Sequence, residues 1–84
     1  MSKDIKDIEK KVIGVLADSL DIDPKKIKLD SRLMEDLGFD SFGAIEMVFK
    51  LEDKFGLEIL EDDIKKMRTV EDIVDYINQN MQNK

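Results

Sequence analysis

The stretch Leu37-Gly38-Phe39-Asp40-Ser41-Phe42 marks the point where a loop becomes a helix. Loop signals precede Ser41, and a strongly apolar helical pattern follows it as far as Gly56. That order sets the Ser41 hydroxyl at a helix N-terminus, where unpaired backbone N–H groups and the helix dipole favour an anion. The spacing predicts a helix over Ser41 to Phe55, closed by Gly56 as its C-terminal cap. At about 100° per residue, Ala44, Met47, Val48, Leu51 and Phe55 share one arc centred near Leu51, an ordinary core face. Phe42, Ile45 and Phe49 lie on the other side with Glu46, Asp53 and, at its flank, Glu52. A core does not call for that mixed face, so it reads as a docking surface beside the serine. Burial under a neighbouring segment is the competing reading, because a helix apolar on all sides is often simply covered. Ser41 has its own plain alternative: Ser or Asp ahead of an apolar run is the usual helix start, and Asp40 can supply the capping oxygen.

Upstream, Ile5, Ile8, Val12, Val15, Leu16 and Leu20 fall at helical spacing and predict a first amphipathic helix over Lys3 to Leu20. Gly14 interrupts it at a cost of about 1 kcal/mol relative to alanine, which packing can absorb. Asp23 and Pro24 end the pattern and suit a single capped turn. A long connection then runs from Asp21 to Asp40, anchored by Ile22, Ile27, Leu29, Leu33, Met34 and Leu37, too irregular for a strand and too apolar for a free linker. Downstream, Ile64 and Met67 suggest a short helix over Glu61 to Met67. Thr69 stands three residues before Asp72 as a capping-box-like start. The last helix that it opens buries Val70, Ile73, Val74, Ile77 and Met81, with a polar tail, residues 78–84, expected to fray. The expected fold is all-α, a small four-helix bundle of three longer helices and one short one, with a long first loop, in one domain spanning residues 1–84.

Composition narrows the chemistry. A chain of 84 residues buries only roughly 60% of the surface that its unfolded form exposes, which leaves a small core and no room for a deep catalytic cleft. The sequence holds neither Cys nor His. The usual general base near neutral pH, the usual zinc ligands and any Ser/His or Cys/His pair are thereby missing, so the expectation is a non-enzyme with no metal site. The net charge is −6, and it is uneven: ten acidic residues between Glu35 and Asp63 face only Lys50 and Lys54 there. Such a field argues against nucleic acid and anionic membranes and favours partners with basic patches. The amino end, Met1-Ser2-Lys3-Asp4-Ile5-Lys6, has no apolar signal region and no Arg-rich transit character, so a cytoplasmic location is expected; the chain is also expected to be a monomer.

The residues Glu35-Asp36-Leu37-Gly38-Phe39-Asp40-Ser41, followed by Ile45-Glu46-Met47-Val48, Leu51-Glu52 and Phe55-Gly56, resemble the acyl carrier proteins over nearly the whole chain. The resemblance implies that Ser41, in its Asp40-Ser41 motif, receives 4′-phosphopantetheine from coenzyme A through a phosphopantetheinyl transferase. Acyl groups then ride on that arm as thioesters. It further implies that acyl synthases and transferases dock on Phe42, Ile45, Glu46, Phe49, Glu52 and Asp53, in fatty-acid or related lipid or polyketide biosynthesis. The positions matching an acyl pocket are Ala44, Met47, Leu51, Ile59, Ile64 and Met67, where methionine would suit an adjustable cavity. Three positions depart from the family pattern: Phe42 replaces the usual leucine, Gly43 a common aspartate, and Leu60 a frequent proline. A carrier of aminoacyl or peptidyl groups, including the D-alanyl type, and an unmodified acidic helical adaptor remain the alternatives.

Overall fold

Four α-helices form within residues 5–82, the part of the chain that the computed structural model describes: α1 (Ile5–Leu20), α2 (Ser41–Phe55), α3 (Glu61–Ile64) and α4 (Val70–Gln82). Lys3 and Asp4, expected at the start of the first helix, lie outside the described residues, as do Asn83 and Lys84. The bundle is all-helical with one short member, as the periodicity predicts. The α1 helix packs against both α4 and α2. Ile8, Val12 and Leu16 from α1, Met47, Val48 and Leu51 from α2, and Val70, Ile73, Val74 and Ile77 from α4 are all buried in one core.

Local chemistry ends α1 and α2, and opens α4, where the sequence signals it. At the close of α1, Asp21 takes a left-handed φ of 56°, and the N–H of Ile22 reaches back to the Ala17 carbonyl at 3.1 Å. Asp23 accepts from the Lys25 N–H at 2.9 Å and starts a 3-10 turn over Pro24–Lys26. At the end of α2, Gly56 adopts φ 66°, and its N–H and that of Leu57 both donate to the Glu52 carbonyl, at 2.8 and 3.3 Å. Glycine takes this conformation without the Cβ penalty. A reciprocal capping box opens α4: Thr69 N–H donates to Asp72 Oδ2 at 3.1 Å, and Asp72 N–H donates to Thr69 Oγ1 at 3.2 Å.

The long connection is structural. Ile27, Leu33 and Phe39 are buried in the core, with Ile22, Leu29 and Leu37 packed against it. Met34 is the exception among the expected anchors, since it stays exposed, and Phe39 takes a buried place instead. Two carbonyls of this connection, Ser31 and Leu29, accept from the N–H groups of Val70 and Glu71 at 3.1 and 2.9 Å. They satisfy donors that the first turn of α4 would otherwise leave open.

Two segments differ from expectation. The short helix ends at Ile64 rather than Met67, because Lys66 and Met67 donate to carbonyls only three residues back, at 3.1 Å each, and the turn tightens. Nearby, Leu33 N–H donates to Arg68 O at 2.9 Å, which fixes the chain just beyond. The α4 helix continues past Asn78 to Gln82, and Asn80 Nδ2 donates to the Tyr76 carbonyl at 2.8 Å. Tyr76 also ties α4 to α3: burial, and then its hydrogen bond with Asp63, raise its phenol above the ordinary range.

Candidate functional site

The entry to α2 is held from both sides. Before it, Arg32 is bound to the Asp36 carboxylate through its backbone N–H and Nε, at 2.8 and 3.2 Å, and to Glu35 through Nη1 at 2.8 Å. The hydrogen bond from the Arg32 side chain, reinforced by its backbone N–H and its charge, holds the Asp36 carboxyl below the usual range. Gly38 then turns the chain at φ 80°, a conformation in which a Cβ would be strained. Asp40 caps the helix: its Oδ1 accepts from the Gly43 N–H at 2.6 Å. A Cβ at position 43 would stand 3.1 Å from that oxygen and 3.4 Å from Phe39 Cδ1, so glycine leaves room for so short a bond.

Asp40 thus does the capping, and Ser41 is released from it. Ser41 is the first residue of α2, exposed, and its Oγ makes no hydrogen bond among the described residues. It lies on the edge of a groove of about 1100 Å³ between α2 and α3. The apolar floor comes from Leu33, Ala44, Val48, Ile59, Ile64 and Met67, with Met34, Ile45 and Phe49 at its margin.

Of the six expected pocket positions, Ala44, Ile59, Ile64 and Met67 line this groove. Met47 and Leu51 do not: at 1% and 0% exposure they point into the core toward α1 and α4. The residues of α2 one helical step away from them, Ala44 and Val48, take the groove side. Leu33 was an expected anchor and Val48 an expected core residue, and both serve the groove as well. Nothing in the local sequence marks Arg32, Lys65 or Arg68, which also line it, because their position depends on how the long connection meets the turn after α3.

The second apolar stripe is not covered. Phe42 is 82% exposed, Phe49 62% and Ile45 46%. Glu46 is exposed beside them. The other two acids of the expected docking face part company. Glu52 is half-buried and accepts from the Ile59 N–H at 2.8 Å, so it holds the connection from α2 to α3 while lining the groove. Asp53 lies on the opposite flank, in a furrow between α1 and α2 with Lys10, Lys11, Lys50 and Lys54. The α2 helix therefore separates an apolar and acidic flank from one rich in lysine. No group of three or more His, Cys, Asp or Glu is placed to hold a metal ion among the described residues.

An exposed serine behind a separate capping aspartate, at a helix start and beside an apolar groove, has the room and the free hydroxyl that a tethered group needs. The phosphopantetheine attachment site family matches residues 10–77, a span that contains all of these features. The chain belongs to the acyl carrier protein family. It is 39% identical over 72 residues to the acyl carrier protein of Thermosynechococcus vestitus, covering 86% of this chain and 89% of that one. It is 42% identical over 72 residues to that of Chlamydia trachomatis serovar D, covering 86% and 94%. The acyl carrier protein of Phytoplasma mali is 41% identical over 76 residues, 90% of each chain. The carrier's prosthetic group is covalently bound phosphopantetheine, and the residues present fit such a group: an unencumbered hydroxyl, an open approach and an apolar groove alongside. Among the described residues no helix is long and apolar enough to cross a membrane.

Proposed function

We propose that Ser41 is the attachment residue, and that this carrier presents acyl groups to partner enzymes in fatty-acid or related lipid or polyketide biosynthesis. The observation that carries the proposal is the exposed Ser41 hydroxyl, uninvolved in capping, on the edge of the groove. The phosphopantetheine arm supplies the thiol that a chain without Cys lacks. Asp40 keeps the first turn of α2 closed so that the serine meets the transferase in one geometry. The helix N-terminus offers its partial positive charge to the phosphate that the serine receives.

Phe42, Ile45 and Phe49 form the apolar part of the partner surface, with Glu46 and Glu52 beside them. Exposed aromatic residues at helical spacing are typical anchors for a partner, and acidic neighbours steer enzymes with basic patches toward them. Asp53, on the lysine-rich flank, falls outside that surface in this reading. The groove lined by Ala44, Ile59, Ile64 and Met67 receives part of the arm and its cargo. The carrier acts as a monomer.

Intact mass after incubation with a phosphopantetheinyl transferase and coenzyme A tests the attachment. An adduct on the wild type that is absent from Ser41→Ala is the expected result. No adduct on the wild type, or an equal adduct on Ser41→Ala, refutes the proposal and leaves the acidic adaptor. Loading of the modified chain by an acyl transferase, set against loading by an adenylating enzyme with an amino acid such as D-alanine, separates acyl from aminoacyl cargo.

A further inference from the structure

The groove beside Ser41 is lined by both signs of charge, Arg32, Lys65 and Arg68 with Glu35, Glu52 and Glu61. Arg32 is engaged by Glu35 and Asp36, and Glu52 by the Ile59 N–H. Lys65 and Arg68 line the same groove and make no ion pair among the described residues. Glu61 and Glu52 are likewise without an ion pair there, so the three cations and three carboxylates of the lining balance, but Lys65 and Arg68 are the two cations that no carboxylate holds among the described residues. These two cations sit in the most acidic part of a chain whose net charge is −6. Arg68 is also well founded: its N–H donates to Asp72 Oδ2 at 2.9 Å, and its carbonyl accepts from Leu33 N–H at 2.9 Å. The guanidinium therefore extends from a backbone fixed to both the α4 cap and the long connection.

We infer that Lys65 and Arg68 hold the phosphodiester of the arm carried on Ser41 and so lay that arm along the groove between α2 and α3. The inference rests on the reading of Ser41 as the attachment residue. A phosphodiester keeps one negative charge throughout the working pH range, and it can pair with the two groove cations that no carboxylate holds. A guanidinium fork binds phosphate oxygens in pairs, and an ammonium binds them as a point charge. Once the phosphate is held, the less polar part of the arm faces Ala44, Val48 and Ile64. A carboxylate at the far end of a cargo would offer the same chemistry, so the test must separate the two sources.

The test uses the whole chain, isotopically labelled and converted with coenzyme A and a transferase. Intact mass is read first: a missing adduct is a failure of the Ser41 reading itself. With the adduct present, the expected results are a shift of the Arg68 Nε–H resonance on conversion with the thiol still free, and the same shift in butyryl and glutaryl forms. The phosphorus resonance should differ between wild type and the Lys65→Gln, Arg68→Gln double variant. Salt at about 0.5 M, where screening acts over roughly 4 Å, should shrink that difference. Both side chains are exposed, and the amide spectrum of the unmodified double variant checks that its fold is kept. An unmoved Arg68 resonance together with an identical phosphorus resonance in the variant overturns the inference. A shift seen only in the glutaryl form also overturns it, since the pair would then bind the cargo carboxylate.

Discussion

Replacing Asp40 by alanine probes the link between the helix cap and the site. The Asp40 carboxylate accepts the Gly43 N–H at 2.6 Å, satisfying one of the donors that the first turn of α2 leaves open. Losing an N-cap acceptor costs about 1 kcal/mol, within a range of roughly 0.5–2. The short bond to a charged acceptor favours the upper part of that range. Exposure of Asp40 favours the lower part, because water can replace the lost oxygen. The expected loss is therefore about 1 kcal/mol, or a fall in Tm of about 4–8 °C for a domain of this size. Asp40→Asn keeps an acceptor in the same place and should lose less than half as much, since Asn and Asp are near equals at an N-cap. Urea unfolding followed by far-ultraviolet circular dichroism measures both, as a shifted midpoint with an unchanged slope. The rate of modification by the transferase should fall with Asp40→Ala, because a loosened first turn no longer presents Ser41 in one geometry. A midpoint for Asp40→Ala equal to wild type, or an Asn variant as damaged as the alanine one, would refute the reasoning.

Three further outcomes follow from the same geometry. Phe42→Ala and Phe49→Ala should leave stability within about 0.5 kcal/mol, because both side chains are exposed, while each weakens binding to a partner synthase by about 1 kcal/mol or more in calorimetry. Glu52→Ala should destabilise by about 1–2 kcal/mol through the half-buried Ile59 N–H that it abandons; Glu52→Gln keeps the acceptor, so its urea midpoint should stay near wild type while affinity for a basic partner drops. The Asp36 carboxyl is held below its unfolded value by Arg32, so its contribution is fully present above the ordinary carboxylate range and is lost as pH falls below about 4 toward the folded pKa. Arg32→Gln should raise the Asp36 pKa in a carbon-13 titration, and an unchanged titration would remove Arg32 as the cause.

Short-range signals account for the parts of this fold that the chain announces. Asp40 and Gly56 bound α2, Asp23 and Pro24 start the 3-10 turn, and Thr69 with Asp72 opens α4. Each depends on a hydrogen bond between residues a few positions apart, or on a backbone angle that one residue type accepts. The buried stripe of α4 follows from helical spacing for the same reason. Ser41 is found as a position by this logic, and the tethered thiol, which a chain without Cys cannot supply itself, is what the family resemblance implies for it.

Packing between distant segments settled the rest. Periodicity assigned the Leu51 stripe of α2 to the core and left the second stripe between docking surface and cover, and the packing buries Met47 and Leu51 while Phe42 and Phe49 stay exposed. Glu52 and Asp53 are adjacent in the chain, yet about 100° of rotation sends one to the groove and the other to the lysine-rich furrow. The third helix stops at Ile64, where the next carbonyls are claimed by a tighter turn and by Leu33. Lys65 and Arg68 enter the groove only because the long connection folds back onto that turn. In the sequence alone, Ser41 is a candidate beside a second stripe that could be docking surface or covered; the tertiary packing leaves that stripe exposed and sets the serine beside a groove.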